Sequence, residues 1–205
     1  MGRCAAALLA VVLLASCGEN AGTPADDAAQ GGEAPTTARA LAAIAAERVG
    51  EPDSATSSRD LDELYKQEAV GSELRFGADG EYDGDQFEVR VGIGFQLFEP
   101  DCDSASIQDN PRLGGCEEVG GGMLLLWEVS EPESDPGAVY VVLSKGAATV
   151  LVSQSGPTID ADPRRLDMPI SVDDMVAVAR DERVALTTSQ EAIDAGKALD
   201  YWTGE

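Results

Sequence analysis

Cys102 and Cys116 bracket a polar, turn-rich stretch, Asp-Ser-Ala-Ser-Ile-Gln-Asp-Asn-Pro-Arg-Leu-Gly-Gly, which a disulfide between them would staple. Closing a loop of this size stabilises a fold by about 3 kcal/mol on the chain-entropy account. Redox chemistry would ask for CxxC spacing and a basic neighbourhood, whereas Asp101, Asp103, Glu117 and Glu118 would raise a thiol pKa. A second cluster is Asp79-Gly-Glu81-Tyr-Asp83-Gly84-Asp85, a turn whose alternating acids can converge several oxygens on a hard cation. Nucleophiles with a partner base are scarce. Ser144 and Lys145 are adjacent on an expected strand and so face opposite sides. Ser153-Gln-Ser155-Gly156 lacks the first glycine of a nucleophile elbow. Gly120-Gly121-Gly122 precedes a strand, with no GK[ST] behind it. The chain has no histidine, which removes imidazole triads, histidine-ligated zinc and histidine pH switches.

The Asp79–Asp85 turn resembles the start of an EF-hand calcium loop, with acids at loop positions 1, 3 and 5 and glycine at 6. It departs from that pattern at position 12, where Arg90 replaces a bidentate acid, and at position 3, which is Glu. The resemblance implies Ca2+ on Asp79, Glu81, Asp83 and Asp85; no other cofactor is expected.

The N-terminus reads as an address. Met1-Gly2-Arg3 carries one positive charge, and Ala5 to Leu14 is an unbroken run of Ala, Leu and Val. Ten such residues span only about 15 Å as a helix, half a bilayer core, so this is a signal-peptide core and not a transmembrane span. The run ends in Leu14-Ala15-Ser16-Cys17, which resembles the lipobox of bacterial lipoproteins. That resemblance implies cleavage before Cys17 and a diacylglyceryl thioether on its sulfur. Two acyl chains are what a stable anchor needs. With arginine outnumbering lysine eleven to three, the chain is also similar to exported lipoproteins of high-GC Gram-positive bacteria. The expected location is the outer face of the cell membrane, with the bilayer as partner through acylated Cys17. Cys102 and Cys116 then remain as an even pair in a compartment where disulfides persist.

The 205 residues include 38 acids and 14 bases, a formal charge of −24. Nucleic-acid binding is excluded by the absence of a basic footprint. Anionic lipid repels such a chain, so the acyl group must hold it. The charge itself serves solubility, or steers a cation or a basic envelope protein. At 43% hydrophobic residues the chain can still build a core.

Residues 1–16 are therefore expected as signal peptide and 17–36 as lipidated Cys and tether, reaching about 24 Å as a flexible coil. Residues 37–205 are expected as one α+β domain. Within it, 37–71 should be helical: Thr36 or Thr37 caps a helix to about Val49, and a second starts near Ser57 or Ser58 and stops at Gly71. The second helix carries Leu61, Leu64 and Tyr65 on one side. Residues 72–155 should hold the sheet. Phe87, Val89, Val91, Ile93, Phe95 and Leu97 alternate with Glu88, Arg90, Gly92, Gly94 and Gln96, the period of a half-buried strand. Met123–Val129, Ala138–Ser144 and Ala147–Ser153 follow across short turns, which predicts an antiparallel meander of about four strands. Residues 157–205 should be helical, with capping boxes at Ser171–Asp174 and Thr188–Glu191 and Gly196 as a stop. Short helices from both chain ends are expected to cover the sheet, and Tyr201 and Trp202 to dock into their own domain.

The function this implies is a non-catalytic envelope interaction or accessory module, not an enzyme, because no catalytic motif is present. The alternatives are a calcium-binding surface lipoprotein using the Asp79–Asp85 turn and a carboxylate-dependent envelope hydrolase.

Overall fold

A computed structural model of the chain describes residues 33–58, 69–77, 87–95, 101–131 and 135–204, all in the unit 31–205. The elements in order are β1 (Glu33–Pro35), α1 (Ala38–Val49), β2 (Ser54–Ser57), β3 (Val70–Phe76), β4 (Phe87–Phe95), α2 (Ala105–Gln108), β5 (Leu113–Glu118), β6 (Met123–Glu128), β7 (Ala138–Lys145), β8 (Ala148–Ser155), a 3-10 turn (Pro163–Arg165), α3 (Val172–Arg180), β9 (Thr187–Ser189) and α4 (Gln190–Lys197). Seven strands form one antiparallel sheet in the order β2-β3-β4-β8-β7-β6-β5, and β1 pairs with β9 as a separate ribbon.

This corrects the expected α+β fold of about four strands under helices. The described residues are mostly sheet, with three helices of eight or more residues and the single turn α2. Three of the seven strands lay outside the expectation. β2 and β3 begin inside the stretch expected to be helical, and β5 begins inside the stretch expected as a stapled insertion and runs past Cys116. The meander is also broken once. β4 pairs with β8, not with β6, because the long connection from Phe95 to Leu113 lets the chain cross to the far edge. Of the expected strands, short links join only β6, β7 and β8 as consecutive neighbours, and the long connection before β5 carries the chain across the sheet. The expected second helix, from Ser57 or Ser58 to Gly71, is overturned at its ends, where Ser57 belongs to β2 and Val70 and Gly71 to β3. Residues 59–68 between them lie outside the described residues, as do 96–98 of the expected long strand.

The alternation that predicts β4 puts Val89, Val91 and Ile93 on one face, fully buried. The same face carries Leu74, Val139, Val141, Val150, Val152 and Leu125. α1 lies against β3 and β4, α3 lies against β7 and β8, and α4 packs on α1. α1 starts where expected, Thr37 accepting from the Ala40 N–H, and Leu41, Ile44 and Ala45 are buried. α3 is capped by Ser171, whose hydroxyl accepts from the Asp174 N–H at 3.1 Å. α4 is capped by Ser189, one residue after the expected Thr188, which instead sits buried in β9. Gly196 lies inside α4 and does not stop it; its backbone rides directly on α1. The three glycines 120–122 form the β5–β6 turn with φ of 84°, 68° and 74°, a left-handed run that other residues resist.

Polar residues on the core face break the pattern, Ser72 of β3 and Gln154 of β8 among them. Gln154, on the buried face of β8 between Val89 and Val139, is fully buried, and neither amide atom has a hydrogen-bond partner. An orphaned buried polar group costs about 1–3 kcal/mol. Gln154→Met, which keeps the shape, is expected to raise stability by about that amount in urea denaturation. An unchanged or lower midpoint would show that the amide is satisfied in solution.

Candidate functional site

The disulfide joins Cys102 to Cys116 with Cα atoms 5.6 Å apart, as the sequence predicts. It ties the loop carrying α2 to β5 at one edge of the sheet. β5 can lie there because Gly114 and Gly115 carry no side chain. A Cβ at Gly115 would stand 2.2 Å from Trp127 Cζ2, and one at Gly114 would stand 2.5 Å from Trp127 Nε1. The indole of β6 thus packs against bare backbone, and the strand register shifts between Leu113 and Gly115.

Glu128, at the end of β6, organises the base of the loop. Its carboxylate accepts from Asn110 Nδ2 at 2.6 Å, Arg112 Nη2 at 2.8 Å and the Tyr140 hydroxyl at 3.4 Å. Arg112 also pairs with Asp135. Burial, and then the Glu128 charge, push the Tyr140 phenol up to about 12. The Gly137 N–H, and then Arg112, hold Asp135 below the usual carboxylate range. Gln108 Nε2 donates to the Cys102 carbonyl at 2.7 Å, closing the loop on itself. Disulfide, carboxylate hub and turn together make this a pre-organised surface. Sequence reasoning placed the two cysteines and missed Glu128, Asn110 and Arg112. The available signal was Glu128 alternating with buried Trp127 in an apolar strand.

A second polar group lies on the sheet face opposite the core. Glu73 and Arg90 are register partners, as are Arg75 and Glu88. Arg75 Nε donates to Glu73 at 2.7 Å, and Arg90 Nε lies 2.5 Å from Glu88 and 3.4 Å from Glu73. Burial, followed by the Glu73 charge, raises the Glu88 carboxyl above its ordinary range. This is where the structure does bring two carboxyls together, as a hydrolase would need. Each faces arginines, however, and the arrangement is that of a cross-strand charge ladder.

The remaining candidates separate. Lys145 Nζ donates to the carbonyls of Asp181 at 2.6 Å and Val184 at 3.0 Å, closing the end of α3, so it is not a base for Ser144. Arg183 bridges Glu47 of α1 and Asp181, and its hydrogen bonds lower both carboxyl pKa values. The acyl candidate Cys17 and the calcium candidates Asp79, Glu81, Asp83 and Asp85 lie outside the described residues. Among the described residues no group of three or more His, Cys, Asp or Glu is placed to hold a metal ion. Trp202 packs against its own domain, with the Arg39 guanidinium 5.3 Å from the centre of its ring, and Tyr201 joins the core beside it.

No protein-family model matches the chain, and no curated protein matches it. Among solved structures it is similar to the di-domain ARO/CYC StfQ from the steffimycin biosynthetic pathway, at 12% identity and a TM-score of 0.22. The match covers 72% of this chain and 42% of that one, so the chain spans about two fifths of that protein's length. The expectation that the chain is not an enzyme is withdrawn, since the absence of a familiar catalytic motif does not exclude activity. A likeness this slight carries neither fold nor reaction across.

Proposed function

We propose that the chain is an exported lipoprotein, held to the outer face of the cell membrane by an acyl group on Cys17. Its sheet domain is presented there as an interaction module for other envelope components. The observation that supports this reading is the Cys102–Cys116 disulfide, a bond that persists in oxidising compartments and is rare in reducing ones. It agrees with the signal-peptide run and lipobox-like residues that precede Cys17. No described helix is long and apolar enough to cross a membrane.

Membrane fractionation of cells expressing the full chain tests the anchor. The wild-type protein is expected in the membrane pellet with residues 1–16 removed and a diacylglyceryl mass on Cys17. Cys17→Ala is expected to move it to the soluble fraction. A variant that still sediments with membranes, or a wild-type Cys17 with an unmodified thiol, overturns the reading.

A further inference from the structure

We propose that the outer edge of β5 is a docking strand, pairing through its backbone with an extended, lysine- or arginine-bearing segment of another protein. The inference names a partner class for the interaction module, yet its geometry stands independently of the anchor.

The two edges of the seven-stranded sheet are finished differently. At the β2 edge the chain supplies its own cover: Ala55 donates to the Tyr201 carbonyl at 3.0 Å, and Thr203 donates to the Ala55 carbonyl at 2.8 Å. This forms a parallel bridge between Ala55 and Trp202. At the β5 edge no described segment plays that part. Val119 donates to the Met123 carbonyl at 3.0 Å, which directs Val119, and by alternation Glu117 and Gly115, toward β6. Cys116 and Glu118 therefore turn their N–H and C=O groups outward. Such a row is a template for another strand.

The edge is also held in place before any partner arrives. The disulfide fixes Cys116, and Asn110 and Arg112 bind Glu128 just upstream of the strand. The register irregularity is confined to Leu113–Gly115 and leaves Cys116 to Glu118 regular. Pre-organisation of this kind lowers the ordering cost of strand addition.

Charge selects the partner. Glu118 is exposed on the strand, Asp101 and Asp103 are exposed beside the linked Cys102, and Glu117, also exposed, is paired with Arg164. The cations nearby are already engaged: Arg112 with Glu128 and Asp135, Arg164 with Glu117 and Asp162. A second copy of this chain, at −24, would bring like charges against this edge. A basic strand would meet opposite charges directly across the ladder.

The test uses the full-length protein in detergent and a blocked eight-residue peptide of alternating Lys and Val. Backbone amide exchange is read at Cys116 and Glu118. The peptide is expected to slow exchange at both amides by at least about tenfold. A Glu/Val peptide, and a Lys/Val peptide N-methylated at alternate amides, are expected to leave exchange unchanged. Glu118→Pro removes an outward N–H without touching the β6 ladder, and should abolish peptide protection while Trp127 fluorescence stays native. Glu118→Lys should reduce binding of the Lys/Val peptide. Slow exchange at both amides before peptide is added would overturn the proposal, since the edge would already be covered. So would protection that rises with protein concentration alone, equal binding of the methylated peptide, or no protection by the Lys/Val peptide at millimolar concentration. None of these outcomes bears on Cys17, so failure of the edge and failure of the anchor are read separately.

Discussion

Gly196→Ala is expected to destabilise the fold by about 1–3 kcal/mol, although the residue lies within a helix. Propensity alone gives the opposite sign, since alanine favours a helix over glycine by about 1 kcal/mol. The difference lies in what a methyl group would meet. A Cβ at Gly196 would stand 2.7 Å from the Ala40 nitrogen, 2.7 Å from the Arg39 carbonyl carbon and 2.8 Å from the Arg39 oxygen. These are backbone atoms of the first turn of α1 and cannot swing aside as a side chain can. The two helices would have to separate, loosening Ala192 and Ala45 from the core they share. Urea denaturation decides the matter. A midpoint that rises would mean that α4 moves off α1 without cost.

Replacing both cysteines, Cys102→Ser with Cys116→Ser, is expected to cost about 3 kcal/mol. For a domain of this size that corresponds to a melting temperature lower by about 6–12 °C. The loss should be local as well as global. Exchange at the amides of Gly115 and Glu117, which face β6, should accelerate, while those of β7 and β8 keep their protection. A fall of less than about 2 °C would show that the Arg112–Glu128–Asp135 ion pairs hold the loop unaided.

Much of the centre of the sheet was legible because its signals are local. β4, β6, β7 and β8 carry their own period or a run of β-branched residues between turns, and α1, α3 and α4 carry hydroxyl caps. The missed strands lack such marks. β2 is Ser-Ala-Thr-Ser, with one buried side chain, Ala55, and it exists because β3 on one side and residues 201–203 on the other satisfy its backbone. β5 is Leu-Gly-Gly-Cys-Glu-Glu, whose glycines read as a loop until Trp127 is seen to need their bare backbone. β3 was hidden by Gly71, read as a helix stop, though it faces Gly92 across the ladder. Of the candidate site, the stapling cysteines could be read by parity. The carboxylate hub could not, since Asn110, Arg112, Glu128, Asp135 and Tyr140 meet only once β5, β6 and β7 are aligned.

The start and finish of the domain hold each other. Thr36 donates its hydroxyl to the Ala185 carbonyl across 149 positions, and Thr203 reaches Ala55 across 148. β1, the outer side of β2 and the groove that receives Gly196 all wait for residues 185–204. Contacts so distant along the chain make for slow acquisition of the native state. The N-terminal elements therefore reach their final packing only when the end of the chain is in place, and loss of residues 185–204 would unfasten β1, α1 and β2 along with them.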